Sequence, residues 1–232
     1  MRTLLLGLLL LAAASPASAA TPEVPLPRAR PAPAAAPPPE TTPAEARDYQ
    51  VACPAVLQGM AVATPLPPIA DGQCQVRSPL ALDAIMANGR AIPLSSPVTT
   101  DCGMATALPA WLATVDSYLF AREKTRIATL VTGTGYACRN VNNAETGNLS
   151  FHAFGDALDV VGFTLEDGRT ISVTSAWQGT EEAGRSLMRF AHAAACAQFT
   201  TVLGPDANAL HHDHLHLDLG CHGARCVARL CE

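Results

Sequence analysis

Eight cysteines, spread from Cys53 to Cys231 along 232 residues, constrain this chain more than any other feature. They are Cys53, Cys74, Cys102, Cys138, Cys196, Cys221, Cys226 and Cys231. No two form a C-x-x-C pair, which disfavours a metal cluster or a dithiol redox motif, so all eight are disulfide candidates. A framework of this kind belongs to an oxidising compartment. Eight cysteines allow on the order of a hundred pairings. Proximity suggests Cys53 with Cys74. Cys102 with Cys138 would tie a helix start to the region of the candidate site, and Cys196 would meet one of the three tail cysteines.

The N-terminus agrees with export. Arg2 precedes an apolar run from Leu4 to Ala14, about eleven residues, which fits a signal h-region and is too short to span a bilayer. Ala17-Ser18-Ala19 has the small-x-small cleavage pattern. Residues 1–19 therefore read as a cleaved signal peptide, and the protein as periplasmic or secreted. Nine of the nineteen prolines lie between Pro22 and Pro43, so residues 20–47 read as a Pro/Ala-rich disordered linker. Residues 48–232 are the globular domain. Hydrophobic residues make up 49% and charged residues 15%, which excludes a wholly disordered chain. The net charge of -5 argues against a nucleic-acid partner. No later segment is apolar enough for a transmembrane span.

The periodicities predict an α+β domain with a small, mainly antiparallel sheet and flanking helices. Residues 50–100 read as small strands and loops. Leu108, Leu112, Val115 and Leu119 recur at helical spacing, with Pro109 in the first turn. Arg126 to Thr132, Ala157 to Phe163 and Arg169 to Thr174 read as strands, the last two joined by Glu166-Asp167-Gly168. Glu181 to Ala197 reads as a second helix. Thr200 to Leu203 and His212 to Leu219 read as closing strands.

Five of the seven histidines fall in two clusters. His152 lies in Ser150-Phe151-His152-Ala153-Phe154-Gly155-Asp156-Ala157-Leu158-Asp159, where Gly155 permits a sharp turn between a histidine and an aspartate. The others lie in His211-His212-Asp213-His214-Leu215-His216-Leu217-Asp218. On a strand, His212, His214, His216 and Asp218 would share one face and Leu215, Leu217 and Leu219 the other. Two imidazoles, His152 and one from this row, with the Asp159 carboxylate make a set that leaves a zinc position open, as catalytic zinc sites do. His211 and His212 flank this set without joining it. His192 reads as structural or exposed and His222 as a tail residue. Trp111 and Trp177 read as packing residues, and Ser150 as a loop cap.

These two segments resemble the S-x-H-x-x-G-x-A-x-D and H-x-H signatures of zinc D-alanyl-D-alanine carboxypeptidases and related peptidoglycan peptidases. That group also includes lysostaphin-type enzymes and the hedgehog domain. More closely, the chain resembles the bacterial extensin-like C-terminal family over about residues 50–220. The resemblance also draws on the Cys102 helix, on Gly133-Thr134-Gly135-Tyr136-Ala137-Cys138-Arg139-Asn140 and on Gly204-Pro205. It implies a disulfide-stabilised metallopeptidase-like fold, with Zn2+ as cofactor and His152, Asp159 and His216 as its ligands. It also implies Asp213 or His214 as the base, and Arg139 as the group that orients substrate or stabilises an oxyanion. The partner it implies is peptidoglycan or its peptides, and the activity is hydrolysis of amide bonds in stem peptides or cross-links. The alternative is a non-catalytic zinc-containing envelope-binding module. A regular strand would put Asp213 on the face opposite His216, so a role as base needs the strand to begin near His214, or a bulge. Phe151 and Asp156 depart from the family pattern, where Glu and Asn are common.

Overall fold

The computed structural model describes residues 52–232; the expected signal peptide and linker lie outside them. A short helix α1 (Pro54–Leu57) leads into β1 (Ala61–Pro65), a hairpin of β2 (Ile69–Asp71) and β3 (Cys74–Val76), then the longer β4 (Leu80–Ala87) and β5 (Arg90–Thr100). Helix α2 (Cys102–Glu123) crosses to β6 (Ile127–Thr132). Next come β7 (Ala157–Leu165), β8 (Thr170–Ser172), α3 (Val173–Ala176) and α4 (Glu182–Gln198). The chain closes with β9 (Thr201–Leu203), β10 (Leu215–Asp218) and β11 (Leu230–Cys231).

The main sheet has nine strands in the order β1-β4-β5-β6-β7-β10-β9-β11, with β8 also on β7. It is mixed, which corrects the expectation of a small, mainly antiparallel sheet. β5 runs parallel to β6 because α2 carries the chain back across, and β11 runs parallel to β9. The β5 region has alternating burial, yet its prolines and serines read as loop in sequence. Strand β7 changes partner along its length: its first half pairs with β10 and its second half with β8. Gly162 sits at the changeover, where a Cβ would lie 2.3 Å from the Ile171 carbonyl oxygen.

Helix α2 begins on an Asp101 cap whose carboxylate accepts the Met104 N–H at 2.9 Å. Its buried stripe of Met104, Leu108, Trp111, Leu112, Val115 and Leu119 covers the sheet. Each such side chain contributes roughly 1.5–3 kcal/mol on burial. Pro109 lies well inside the helix, not in its first turn. Burial of the helix against sheet and α4 outweighs the one missing hydrogen bond. Trp111 donates to the Ala191 carbonyl of α4 at 2.9 Å, and Trp177 donates to Asp206 at 2.9 Å beneath the Arg189 guanidinium. The second half of the expected strand 169–174 turns instead into α3, because Ser172 caps it through the Ser175 N–H.

Four disulfides join all eight cysteines: Cys53–Cys102, Cys74–Cys138, Cys196–Cys231 and Cys221–Cys226. The expected Cys53–Cys74 and Cys102–Cys138 pairs are exchanged for one another's partners. The β2–β3 hairpin folds toward the segment before Arg139, while α1 packs on the start of α2, so neighbours in space are not neighbours in sequence. Cys196 does meet a tail cysteine. The four bonds are consistent with an extracellular protein. No helix among the described residues is long and apolar enough to cross a membrane.

Asp116 is the polar anchor of this core. It is fully buried, and it accepts from Arg126 at 2.7 Å, from Asn88 at 2.9 Å and from the Ile127 N–H at 3.0 Å. Arg90 adds a contact at 3.4 Å. It thereby joins α2 to the β4–β5 turn and to the first residue of β6. Asp116→Ala strands the buried Ile127 N–H and takes the carboxylate from Arg126, while Arg90 keeps Glu166, at a cost of about 3 kcal/mol. Thermal denaturation should register this as a fall of roughly 10 °C under non-reducing conditions.

Candidate metal centre

Strands β7 and β10 pair antiparallel with Asp159 directly opposite His216. Strand alternation buries Leu158, Val160, Leu215 and Leu217 completely in the core. The same alternation turns Asp159, His216 and Asp218 to the other face. His152 arrives from a 3₁₀ turn, Phe151–Phe154, whose Ser150 cap accepts the His152 N–H. Gly155 ends that turn at φ +68°, a left-handed conformation that favours glycine. A Cβ there would also crowd the Asp101 nitrogen at 3.1 Å.

The three side chains meet at their polar tips. His152 Nε2 lies 3.1 Å from His216 Nδ1 and 3.2 Å from Asp159 Oδ1, and His216 Nδ1 lies 3.1 Å from that oxygen. All three residues are buried. Such a triangle suits zinc, since donors about 2.0–2.2 Å from a tetrahedral ion stand roughly 3.3 Å apart. The far nitrogens are engaged. His152 Nδ1–H donates to the Gly135 carbonyl at 2.6 Å, and His216 Nε2–H donates to Asp218 at 3.1 Å. Each imidazole therefore turns its other nitrogen toward the centre. Among the described residues, His192, Cys196 and Cys231 also cluster, but both cysteines are spent in a disulfide.

Burial opposes the charge on Asp159, yet hydrogen bonds from His152 and His216 hold its carboxyl well below the usual range. Burial likewise opposes a charged His216, but Asp159 and Asp218 outweigh it and push the imidazole up to about 9. Both shifts come from the close approach of the imidazoles to the Asp159 and Asp218 carboxylates.

Around the centre stand the other residues that the sequence singles out. His214 Nε2 lies 3.5 Å from Asp159 Oδ1, and its Nδ1–H donates to Asp213 at 2.8 Å. Strand β10 begins at Leu215, not His212, so Asp213 sits in the preceding turn and strand alternation does not dictate where it faces. Its half-exposed carboxylate reaches the centre through His214. Arg139 is half-buried, donates to the Asn140 carbonyl at 3.5 Å, and has no carboxylate within ion-pair reach among the described residues. A cleft of about 500 Å³ is lined by Gly133, Thr134, Arg139, Asp159, Asp213 and His214. A smaller cavity of about 190 Å³ adjoins His216, with Arg139, Phe151 and His211 in its wall.

Two contributors have no role in the sequence reading, the Gly135 carbonyl and Asp218, while His211 flanks the centre with its ring 5.8 Å from that of His216. The two-residue spacing of His216 and Asp218 on one strand was the available signal for Asp218. His211 is buried, donates to Asn208 at 2.9 Å, and is held down to about 4 by burial and by His214 and His216. His212 is exposed and His192 bonds the chain's last carbonyl, so both stand apart from the centre.

Asp156, between the 3₁₀ turn and β7, faces Asp101 and Asp218. Burial and those two like charges push its carboxyl up to about 7 from an ordinary 3.8. The folded protein therefore binds more protons than the unfolded chain across that interval, so this group's stabilisation is full below its lower limit and lost as pH rises through 7. The Tm advantage of Asp156→Asn over wild type should grow from about pH 5 to about pH 8 with a chelator present. A constant difference would refute the linkage.

The family model for the extensin-like protein C-terminus matches residues 51–232. No curated protein and no solved structure matches the chain. The matched span takes in every element described above, from α1 to β11, and both halves of the candidate centre. By that match, the chain belongs to the extensin-like protein C-terminus family.

Proposed function

We propose that the protein is an exported zinc-dependent hydrolase that cleaves amide bonds in peptidoglycan stem peptides or cross-links. The observation that carries this reading is the buried triangle of His152 Nε2, Asp159 Oδ1 and His216 Nδ1, with both far nitrogens already hydrogen-bonded. The substrate class rests on the likeness of its two motifs to those of the peptidoglycan peptidases. Export rests on the four disulfides and on the signal-like residues 1–19.

Zinc held by His152, Asp159 and His216 would supply Lewis acidity toward a carbonyl oxygen and would make a water easier to deprotonate. The protein's own groups would do the rest. His214 Nε2 faces the centre and takes the proton from the attacking water, while Asp213 holds its Nδ1–H and stabilises the imidazolium. His214 then returns that proton to the leaving amine. Arg139, free of any carboxylate partner among the described residues, meets negative charge as it develops on the substrate. His214 is thus the base and Asp213 its orienting acid. This reading follows from Asp213 lying in a turn beside His214 instead of on the strand.

Metal analysis should find about one zinc per chain, lost in His152→Ala. Incubation with purified peptidoglycan should release muropeptide fragments, and a chelator should stop it. His214→Ala should lower kcat by about 10²–10⁴ with zinc retained. Asp213→Asn should cost less, because the imidazole stays in place. Zinc-loaded, folded protein that leaves crosslinked and uncrosslinked muropeptides intact would sink the hydrolase reading. Co-sedimentation with peptidoglycan but no cleavage would favour the envelope-binding module.

A further inference from the structure

Asp218 backs His216, and groups outside the ligand set hold it in turn. The Gly220 N–H donates to its Oδ1 at 2.9 Å, the Thr200 hydroxyl donates at 3.2 Å, and His222 Nε2 lies 3.5 Å from the same oxygen. That leaves Oδ2 for the His216 Nε2–H at 3.1 Å. That same Nε2 hydrogen-bonds the Thr201 hydroxyl, and the His222 ring stands edge-on to Phe151 with centroids 5.3 Å apart. Phe151 closes on Gly220, where an added Cβ would fall 2.1 Å from the ring. Phe151, Gly220 and His222 thus pack as one wall behind the carboxylate.

Regular secondary structure does not place His222 there. It follows β10 in a tail whose neighbours Cys221 and 223–229 are exposed, while His222 itself is partly buried. The Cys221–Cys226 bond closes a loop of five-residue separation, with Cα atoms 4.4 Å apart, beginning at the residue beside His222. The Ala228 N–H then closes on the His222 carbonyl at 3.3 Å. A covalent loop removes conformational freedom that an exposed tail would otherwise keep. A fixed outer carboxylate orients an imidazole ligand and raises its basicity.

We propose that the Cys221–Cys226 loop is a covalent clamp that holds His222 against Asp218, so that Asp218 aims Nδ1 of His216 into the candidate metal centre. The inference rests on the zinc reading for what His216 then binds, and on the hydrogen bond to Asp218 and the close packing of His222 beside that carboxylate for how it is aimed. Asp218 and His222 are positioning residues here, and the loop acts on the centre through them.

The test uses the full chain in three forms. His222→Leu keeps the disulfide, Cys221→Ser/Cys226→Ser keeps the imidazole, and His222→Gln keeps a side-chain N–H donor. Two quantities are read: zinc affinity by competition with a chromogenic chelator, and exchange of the His216 Nε2–H proton by NMR in the zinc-free chain. His222→Leu and the disulfide variant should each bind zinc about tenfold more weakly. In both, the proton should exchange at least about tenfold faster, while His222→Gln stays within about threefold of wild type. A wild-type exchange rate in either of the first two variants overturns the clamp, as does failure of His222→Gln to restore it. Should the disulfide variant fail to fold, the His222→Leu and His222→Gln pair still decides whether His222 aims His216. The zinc reading is judged separately: zinc binding that His152→Ala leaves unchanged would refute it, and the proton-exchange data would still decide the clamp.

Discussion

The pairing of β7 with β10 sets Asp159 opposite His216, and the rest of the centre depends on that register. A slip by one residue would send both side chains into the core and Leu158, Val160, Leu215 and Leu217 out of it. Those three leucines and one valine are fully buried, so hydrophobic packing enforces the register that the polar site requires. Apolar packing thereby fixes β7 against β10 beneath the site. His152 joins from a loop, but the Ser150 cap, the Gly155 turn and the Gly135 carbonyl leave its ring one orientation.

Burying three polar side chains is costly unless every spare donor and acceptor is matched. Here each match extends outward by one more residue. His216 leans on Asp218, Asp218 on Gly220, Thr200 and His222, and His214 on Asp213. The disulfides follow the same logic at larger scale. Cys74–Cys138 anchors the segment that carries Arg139, and Cys221–Cys226 anchors the tail that carries His222. Two of the four covalent links thus lie beside the site and not only across the core.

Where the sequence was legible, the signal was periodic or local. The two long helices, the strand at 127–132 and the β7–β8 turn follow from apolar spacing and turn residues. Both tryptophans are packing residues, as their settings suggested. Where the sequence misled, distant contacts had decided. Pro109 is tolerated inside α2 because tertiary burial supports the helix. The run His212–Leu219 alternates like a strand throughout, yet Asn208 caps a 3₁₀ turn at Ala209–His211 and the ladder begins only at Leu215. The parallel β5–β6 and β9–β11 pairs carry no local mark at all.

Taken alone, the sequence determined the residue types and spacings of the centre: a histidine and an aspartate seven apart around a glycine, and a histidine row on an apolar support. Those are short-range facts, set by chain geometry within about ten residues. Only the tertiary structure decided which atoms meet. It chose Nε2 of His152 and Nδ1 of His216, it brought His214 between Asp213 and the centre, and it left Arg139 without a carboxylate partner among the described residues. It also turned His222, which reads in sequence as a tail residue, toward Asp218. Partners 49 to 64 residues apart in sequence are joined through sheet register and disulfide closure, and neither is written in local spacing.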